Sequence, residues 1–179
     1  MSRIVVLVGS MRKGGNTDLL ARSFTEGAGR NNDVEIISVA DVKVNPCRGC
    51  NACYKSEGNR CVQKDDMTEI YGKLAEADTL VIASPVYFYG LSSQLKAIID
   101  RLHAPVRNTF RIRRLGLLLT AATEFPDLFD AIVRQYVLTL RFFNLGSIGM
   151  VLAPGVKDVG DIQGKPVLKE AYDLGASLQ

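Results

Sequence analysis

Four short, almost unbroken apolar runs constrain this chain most: Ile4 to Val8, Thr79 to Ala83, Leu115 to Leu119 and Ile148 to Leu152. A strand with one wet face alternates apolar and polar residues, whereas a strand covered on both faces reads as a continuous run. The four segments therefore predict parallel strands buried on both sides. A fifth segment, Val34 to Val39, alternates more and is expected nearer the sheet edge. Helical stretches lie between them. Leu95, Ile98, Ile99 and Leu102 recur at i, i+3, i+4 and i+7, one apolar helix face. Asp66-Met67-Thr68-Glu69 has the pattern of a capping box, with Asp in the Ser/Thr position, opening a helix before the third strand.

Strand–helix alternation with right-handed crossovers builds a doubly wound α/β sheet. Five strands predict a flavodoxin-like three-layer sandwich, its five-stranded parallel sheet in the order 2-1-3-4-5. In such sheets the ligand site lies at the carboxyl ends of the strands. With 179 residues, 47% of them hydrophobic, the chain reads as a single domain over 1–179. No apolar run approaches the roughly 20 residues that span a bilayer. A net charge of +3 is too small for an electrostatic nucleic-acid binder. Arg107, Arg111, Arg113 and Arg114 cluster, and read as a solvated loop between helix and strand. Met1 leads directly into the first apolar run with no secretion-signal pattern, so a cytoplasmic protein is expected.

All the cysteines fall in one insert loop at about 45–65, spaced C-x2-C-x2-C-x7-C: Cys47, Cys50, Cys53 and Cys61. Thiolates suit soft metal centres, and four of them on one loop match a [4Fe–4S] cluster. The run is similar to the bacterial ferredoxin spacing, but no second set exists, so one cluster would take all four. Three other readings stay open. Structural zinc prefers cysteine pairs with a longer spacer. Disulfides need an oxidising compartment. Free or redox-active thiols would simply line the loop.

At the end of the first strand, Gly9-Ser10-Met11-Arg12-Lys13-Gly14-Gly15-Asn16-Thr17 leads into a helix at Asp18-Leu19-Leu20. Glycines, hydroxyls and an amide before a helix N-terminus favour a phosphate. Gly15-Asn16 replaces the Lys-Ser/Thr of a Walker A loop, and the G-x-G-x-x-G of dinucleotide folds is missing. A loop of Ser, Asn and Thr side chains suits a phosphate monoester such as that of FMN. After the third strand comes Ser84-Pro85-Val86-Tyr87-Phe88-Tyr89-Gly90. Three consecutive aromatics cannot all enter one core. Aromatic walls with a few backbone polar groups describe a small-molecule pocket.

These motifs resemble the NADPH-dependent FMN reductase superfamily: GSMRKGGNT, the segment PCRGCNACYKSEGNRCVQKDDM and the stretch ASPVYFYGLSSQLKAIIDR. The cysteine run is similar to the iron–sulfur flavoprotein branch. The likeness continues through Gly155-Val156 and Gly160-Asp161-Ile162 to a final helix with Leu168, Ala171, Tyr172 and Leu174. The resemblance implies an FMN phosphate held by Ser10, Met11, Arg12, Asn16 and Thr17. It implies isoalloxazine contacts from Pro85, Val86, Tyr87, Phe88 and Tyr89. Family members often place glycines after the fourth strand, where this chain reads Thr120-Ala121-Ala122-Thr123-Glu124, so no flavin contact is assigned there.

The function expected is an FMN-binding oxidoreductase. A reduced donor, ferredoxin or NAD(P)H, would supply electrons through a four-cysteine cluster and FMN to a small acceptor such as oxygen, peroxide or a quinone. A cluster-free NAD(P)H-dependent FMN or quinone reductase is the alternative enzyme. A flavodoxin-like electron carrier or redox sensor is the non-enzyme alternative, disfavoured because carriers of that kind are strongly acidic. No side chain is assigned as catalytic, and His103, the only histidine, reads as a helix C-terminal residue. The helix after Pro126 carries Leu128, Phe129, Ile132, Val133, Tyr136, Val137, Leu138, Leu140, Phe142 and Phe143 around most of its circumference. One sheet-facing stripe needs far fewer, so a homodimer or higher oligomer is expected at this helix.

Overall fold

The computed structural model describes residues 1–179. Five parallel strands, β1 (Arg3–Val8), β2 (Asp33–Ser38), β3 (Thr79–Pro85), β4 (Arg114–Thr120) and β5 (Gly146–Ala153), form one sheet in the order β2-β1-β3-β4-β5. This is the flavodoxin-like order expected from the sequence. Along β1 the side chains alternate between two cores, Val5 and Leu7 to one side, Ile4, Val6 and Val8 to the other. Helices α1 (Asn16–Ala28) and α5 (Pro166–Ala176) cover the second face. Helices α2 (Met67–Glu76), α3 (Ser93–Arg101) and α4 (Asp130–Phe143) cover the first. Both faces of β1, β3 and β4 are thus dry, which is why their sequences read as unbroken apolar runs.

The β5 run differs. As the outermost strand it has a neighbour on one side only, and Gly146, Ser147 and Met150 are exposed. Its pairing with β4 jumps from Leu115↔Ser147 to Gly116↔Gly149, leaving Ile148 as the extra residue of a bulge. Beyond the bulge, Pro85, Thr120 and Ala153 end level with one another across β3, β4 and β5.

On the α1/α5 face the two helices touch backbone to backbone. A Cβ on Gly27 would lie 2.1 Å from the Tyr172 carbonyl oxygen, and one on Gly175 would lie 2.1 Å from that of Phe24. No side chain fits at either point, so the close crossing requires both glycines. It leaves the start of α1 directed at the ends of the strands.

Two expectations change on the other face. The capping box does not form: Asp66 precedes α2 without a side-chain bond to the helix, and its Oδ2 instead accepts from Lys43 N at 2.7 Å. The acid has been diverted to the base of the cysteine loop. Helix α4 starts at Asp130, because Asp127 sits at φ 60° and breaks the helical path after Pro126. Only Ile132 and Tyr136 of α4 are fully buried, while Leu138, Phe142 and Phe143 are exposed. Val137 and Leu140 pack inward against the core.

Candidate functional site

A cleft of about 210 Å³ opens at the carboxyl ends of the strands, where an open α/β sheet binds its ligand. Ser10, Arg12, Gly15, Asn16 and Thr17 form one wall, Pro85, Val86 and Tyr87 another. Thr120, Ala121 and Ala122 line its floor side, and Val156, Lys157 and Val159 close it from the loop after β5. Thus seven of the ten residues expected to contact a flavin meet around one cavity. Met11, Phe88 and Tyr89 lie outside its wall, each at least half exposed, Phe88 completely so.

The head of α1 is open. Gly15 precedes the helix and supplies no capping side chain, and the N–H groups of Asn16, Thr17 and Asp18 find no acceptor in the chain. Three unpaired donors at the positive end of a helix suit an anion. Gly14, at φ 72°, turns the chain ahead of them, and its N–H donates to Asp18 Oδ2 at 2.8 Å. Arg22 answers the Asp18 carboxylate at 3.1 Å, so that charge is offset before it reaches the cleft.

The side chains of this loop divide in two. The Thr17 hydroxyl, 2.6 Å from that of Thr120, ties α1 to the end of β4. The Asn16 carboxamide is fully engaged elsewhere: Nδ2 donates to the Asp158 carbonyl at 2.8 Å, and Oδ1 accepts from Gly160 N and Ile162 N. Asn16 therefore offers a phosphate its backbone N–H, while its side chain moors the β5–α5 loop and the Lys157 it carries. Ser10 Oγ accepts from Arg12 N at 3.1 Å, shaping the loop. The sequence assigns no flavin contact to Thr120, Ala121, Ala122, Val156, Lys157 or Val159, all of which line the cleft. The available signal was Gly155 and Gly160 following β5 at the same sheet end.

After β3 the chain makes a two-residue turn closed by Tyr87 N to Gly90 O at 2.9 Å and Gly90 N to Tyr87 O at 3.0 Å. Its central residues, Phe88 at φ 51° and Tyr89 at φ 61°, hold left-handed conformations that bulky side chains disfavour. Non-glycine residues held there cost of order 1–3 kcal/mol each. Val86 N donates to Thr120 O at 2.8 Å, anchoring the turn to β4.

The cysteines lie on a separate segment, with short 3-10 turns at Ala52–Tyr54 and Glu57–Asn59. None of the four is in a disulfide. Cys47 and Cys50 are exposed, while Cys53 and Cys61 are half-buried against the α2/α3 core. Burial pushes the Cys53 thiol above its ordinary value, and the other three sulfurs push it the same way. The four sulfurs thus share one neighbourhood, and their donor chemistry fits an iron–sulfur cluster. They are not gathered into a ligand set: no three Cys, His, Asp or Glu side chains are arranged to hold a metal ion. The sequence reads His103 as a helix C-terminal residue with no partner beside it; in the structure its Nε2 lies 3.3 Å from the Tyr54 hydroxyl of this segment.

The model of the NADPH-dependent FMN reductase family matches residues 2–145. The chain belongs to that family. An iron–sulfur flavoprotein of Archaeoglobus fulgidus is 30% identical across 98% of this chain and 78% of its own length. One from Methanocaldococcus jannaschii is 44% identical over 62% of this chain and 56% of its own, so the match spans little more than half of that relative. These place the chain in the iron–sulfur flavoprotein branch. Among solved structures, an NAD(P)H:quinone oxidoreductase from Methanothermobacter marburgensis superposes with a TM-score of 0.75 over 99% of both chains. At 17% identity that likeness speaks for the fold.

Proposed function

We propose that this protein uses FMN, seated in the cleft at the strand ends, to pass electrons from a reduced donor to a small acceptor, with the cysteine segment as a second redox station. FMN supplies chemistry that no side chain here can, taking up two electrons as a hydride and releasing them one at a time. The observation that carries the reading is the open head of α1, with its three unpartnered N–H groups beside Arg12 and Lys157. These residues would hold the phosphate. Pro85, Val86 and Tyr87 would border the isoalloxazine, with Phe88 and Tyr89 standing beyond the cleft. No acid or base is assigned, because a hydride transfer to a flavin asks the protein mainly for orientation and exclusion of water.

Cys47, Cys50, Cys53 and Cys61 are the residues that would hold a [4Fe–4S] cluster. Their donor type and shared neighbourhood support this reading, as do the names of the relatives. The segment from Lys43 to Lys64 carries Lys43, Arg48, Lys55, Arg60 and Lys64, all exposed, against the single acid Glu57. Such a surface suits an acidic electron carrier of the ferredoxin kind, since opposite charge steers association. A second reading, a cluster-free NAD(P)H-dependent FMN or quinone reductase, is favoured by the ungathered, partly exposed thiols.

Titration with FMN and riboflavin tests the cleft. FMN should bind at least tenfold more tightly, because riboflavin lacks the anion that α1 is built to meet. Equal affinities would refute this placement. Anaerobic assays with reduced ferredoxin and with NAD(P)H then separate the two enzyme readings. Electron uptake from ferredoxin that disappears in Cys50→Ser supports the cysteine route, and unchanged turnover with NAD(P)H in that variant supports the cluster-free one.

A further inference from the structure

The cysteine segment leaves and rejoins the fold through a narrow neck. Lys43 N donates to Asp66 Oδ2 at 2.7 Å, and Asp66 N returns a bond to the Lys43 carbonyl at 3.2 Å. One rung further along, Asn45 N and Nδ2 both donate to Asp65 Oδ2, at 2.9 and 3.2 Å. Against this neck lies the last residue of α3, Arg101, whose side chain is 1% exposed. Its Nη1 donates to Asp65 Oδ2 and, at 3.3 Å, to the Asn45 carbonyl, so one nitrogen grips both strands of the neck. Its Nε and Nη2 are buried and have no acceptor in the chain.

Buried donors of a charged group are rarely left unpaired, because their lost hydration is not replaced. The surroundings show where an acceptor would come from. Cys61 lies close enough to contribute to the field at Arg101. Both Cys53 and Cys61 act on Tyr71, whose hydroxyl donates to the Arg101 carbonyl at 2.8 Å. Arg101, Tyr71 and the two inner cysteines therefore share one corner of the α2/α3 core. Asp65 occupies the Nη1 side of the guanidinium, which leaves the Nε–Nη2 edge for an anionic sulfur or a sulfur-bound group.

We propose that Arg101 is the positioning residue of the cysteine segment. It ties both strands of the neck to α3, and its free edge donates to the anionic sulfur set that Cys53 and Cys61 help to form. The first half stands on the neck geometry alone; the second rests on the reading of the cysteines as cluster ligands. Hydrogen bonds and positive charge beside a cluster's sulfurs raise its reduction potential. Arg101 thus sets where the segment sits and how readily a group held there accepts one electron.

The test uses the full chain, with Arg101→Gln, Arg101→Lys and Asp65→Asn. In the metal-free protein, hydrogen exchange at the Lys43 and Asn45 amides should quicken at least tenfold in Arg101→Gln, while amides of β1 and β3 keep their protection. Arg101→Lys should restore most of it. Should Arg101→Gln fail to fold, Asp65→Asn attacks the same grip from the other side and should also loosen the Asn45 amide. Wild-type protection at both amides in a folded variant would overturn the positioning half. After anaerobic reconstitution with iron and sulfide, Arg101→Gln should shift the one-electron reduction equilibrium at least tenfold toward the oxidised form, about 59 mV. Arg101→Lys should stay closer to wild type. A potential unchanged in Arg101→Gln would overturn the electrostatic half. Wild-type protein that takes up no iron would overturn the cluster reading and that half with it, leaving the exchange result to decide the neck.

Discussion

Asn16 and Thr17 are neighbours at the head of α1, yet their side chains face different tasks. Thr17 lines the cleft and touches Thr120, so Thr17→Ala removes a hydroxyl beside the proposed phosphate site. A hydrogen bond to a charged group is worth roughly 1.5–3 kcal/mol, so FMN should bind about tenfold to a hundredfold more weakly, as flavin fluorescence would measure. Asn16→Ala instead strips partners from Asp158 O, Gly160 N and Ile162 N. Its main effect should be lost stability of about 1–3 kcal/mol in the flavin-free protein, read from thermal unfolding. Tyr71 gives a pH signature. Burial raises its phenol from the ordinary 10 to about 12, with Arg101 opposing the rise. The folded state therefore keeps a proton that the unfolded chain gives up, and stability present below about pH 10 is lost as pH climbs toward 12. Tyr71→Phe should flatten that alkaline decline in a denaturation series, at the expense of its bond to the Arg101 carbonyl. At the acid end, burial is the largest single influence and would raise the Asp65 carboxyl, but the Arg101 hydrogen bond and charge, together with the bonds from Asn45 N and Met67 N, hold the group below its ordinary value. Asp65 then contributes stability above that ordinary value that is lost as pH falls through the lowered one.

Among the elements, the turn after β3 carries the clearest strain. Phe88 and Tyr89 both hold positive φ, and Phe88 is fully exposed, so no core contact offsets the cost. Replacing Phe88 with Gly should stabilise the flavin-free protein by about 1 kcal/mol. If the strain is kept for ligand contact, the same change should weaken FMN, so thermal unfolding and flavin titration would move in opposite directions. Strands β1, β3 and β4 were legible because both their faces are dry, which writes the burial directly into the residue types. The loops at the cleft were legible through glycines and hydroxyls ahead of α1. Three features were not. The diversion of Asp66 from helix cap to loop neck depends on Lys43, far away in sequence. The exposure of β5 depends on its place at the sheet edge, which an apolar run of this length does not encode. The engagement of Asn16 with residues 158–162 is a contact across most of the chain, invisible to any local pattern.

For the whole molecule, α4 exposes Leu138, Phe142 and Phe143, which flank a shallow hollow of about 570 Å³. Arg107 rests over the Phe143 ring at 5.5 Å, at the edge of this face. We propose a homodimer or higher oligomer through it, since exposed aromatic clusters of this kind mark association surfaces. Leu138→Glu with Phe142→Glu should yield monomers by light scattering, whereas Val137 packs inward and is the wrong position to charge. No helix is long and apolar enough to cross a membrane. We propose that one chain joins an FMN cleft at the strand ends to a four-cysteine redox segment. The flavin, iron and sulfide content of anaerobically reconstituted protein, read with its absorption spectrum, decides whether it does. The protein should hold about one FMN, four iron and four sulfide per chain, with iron and sulfide lost and FMN retained in Cys50→Ser. Protein that retains no FMN, or that fills its cysteines with stoichiometric zinc, would contradict it.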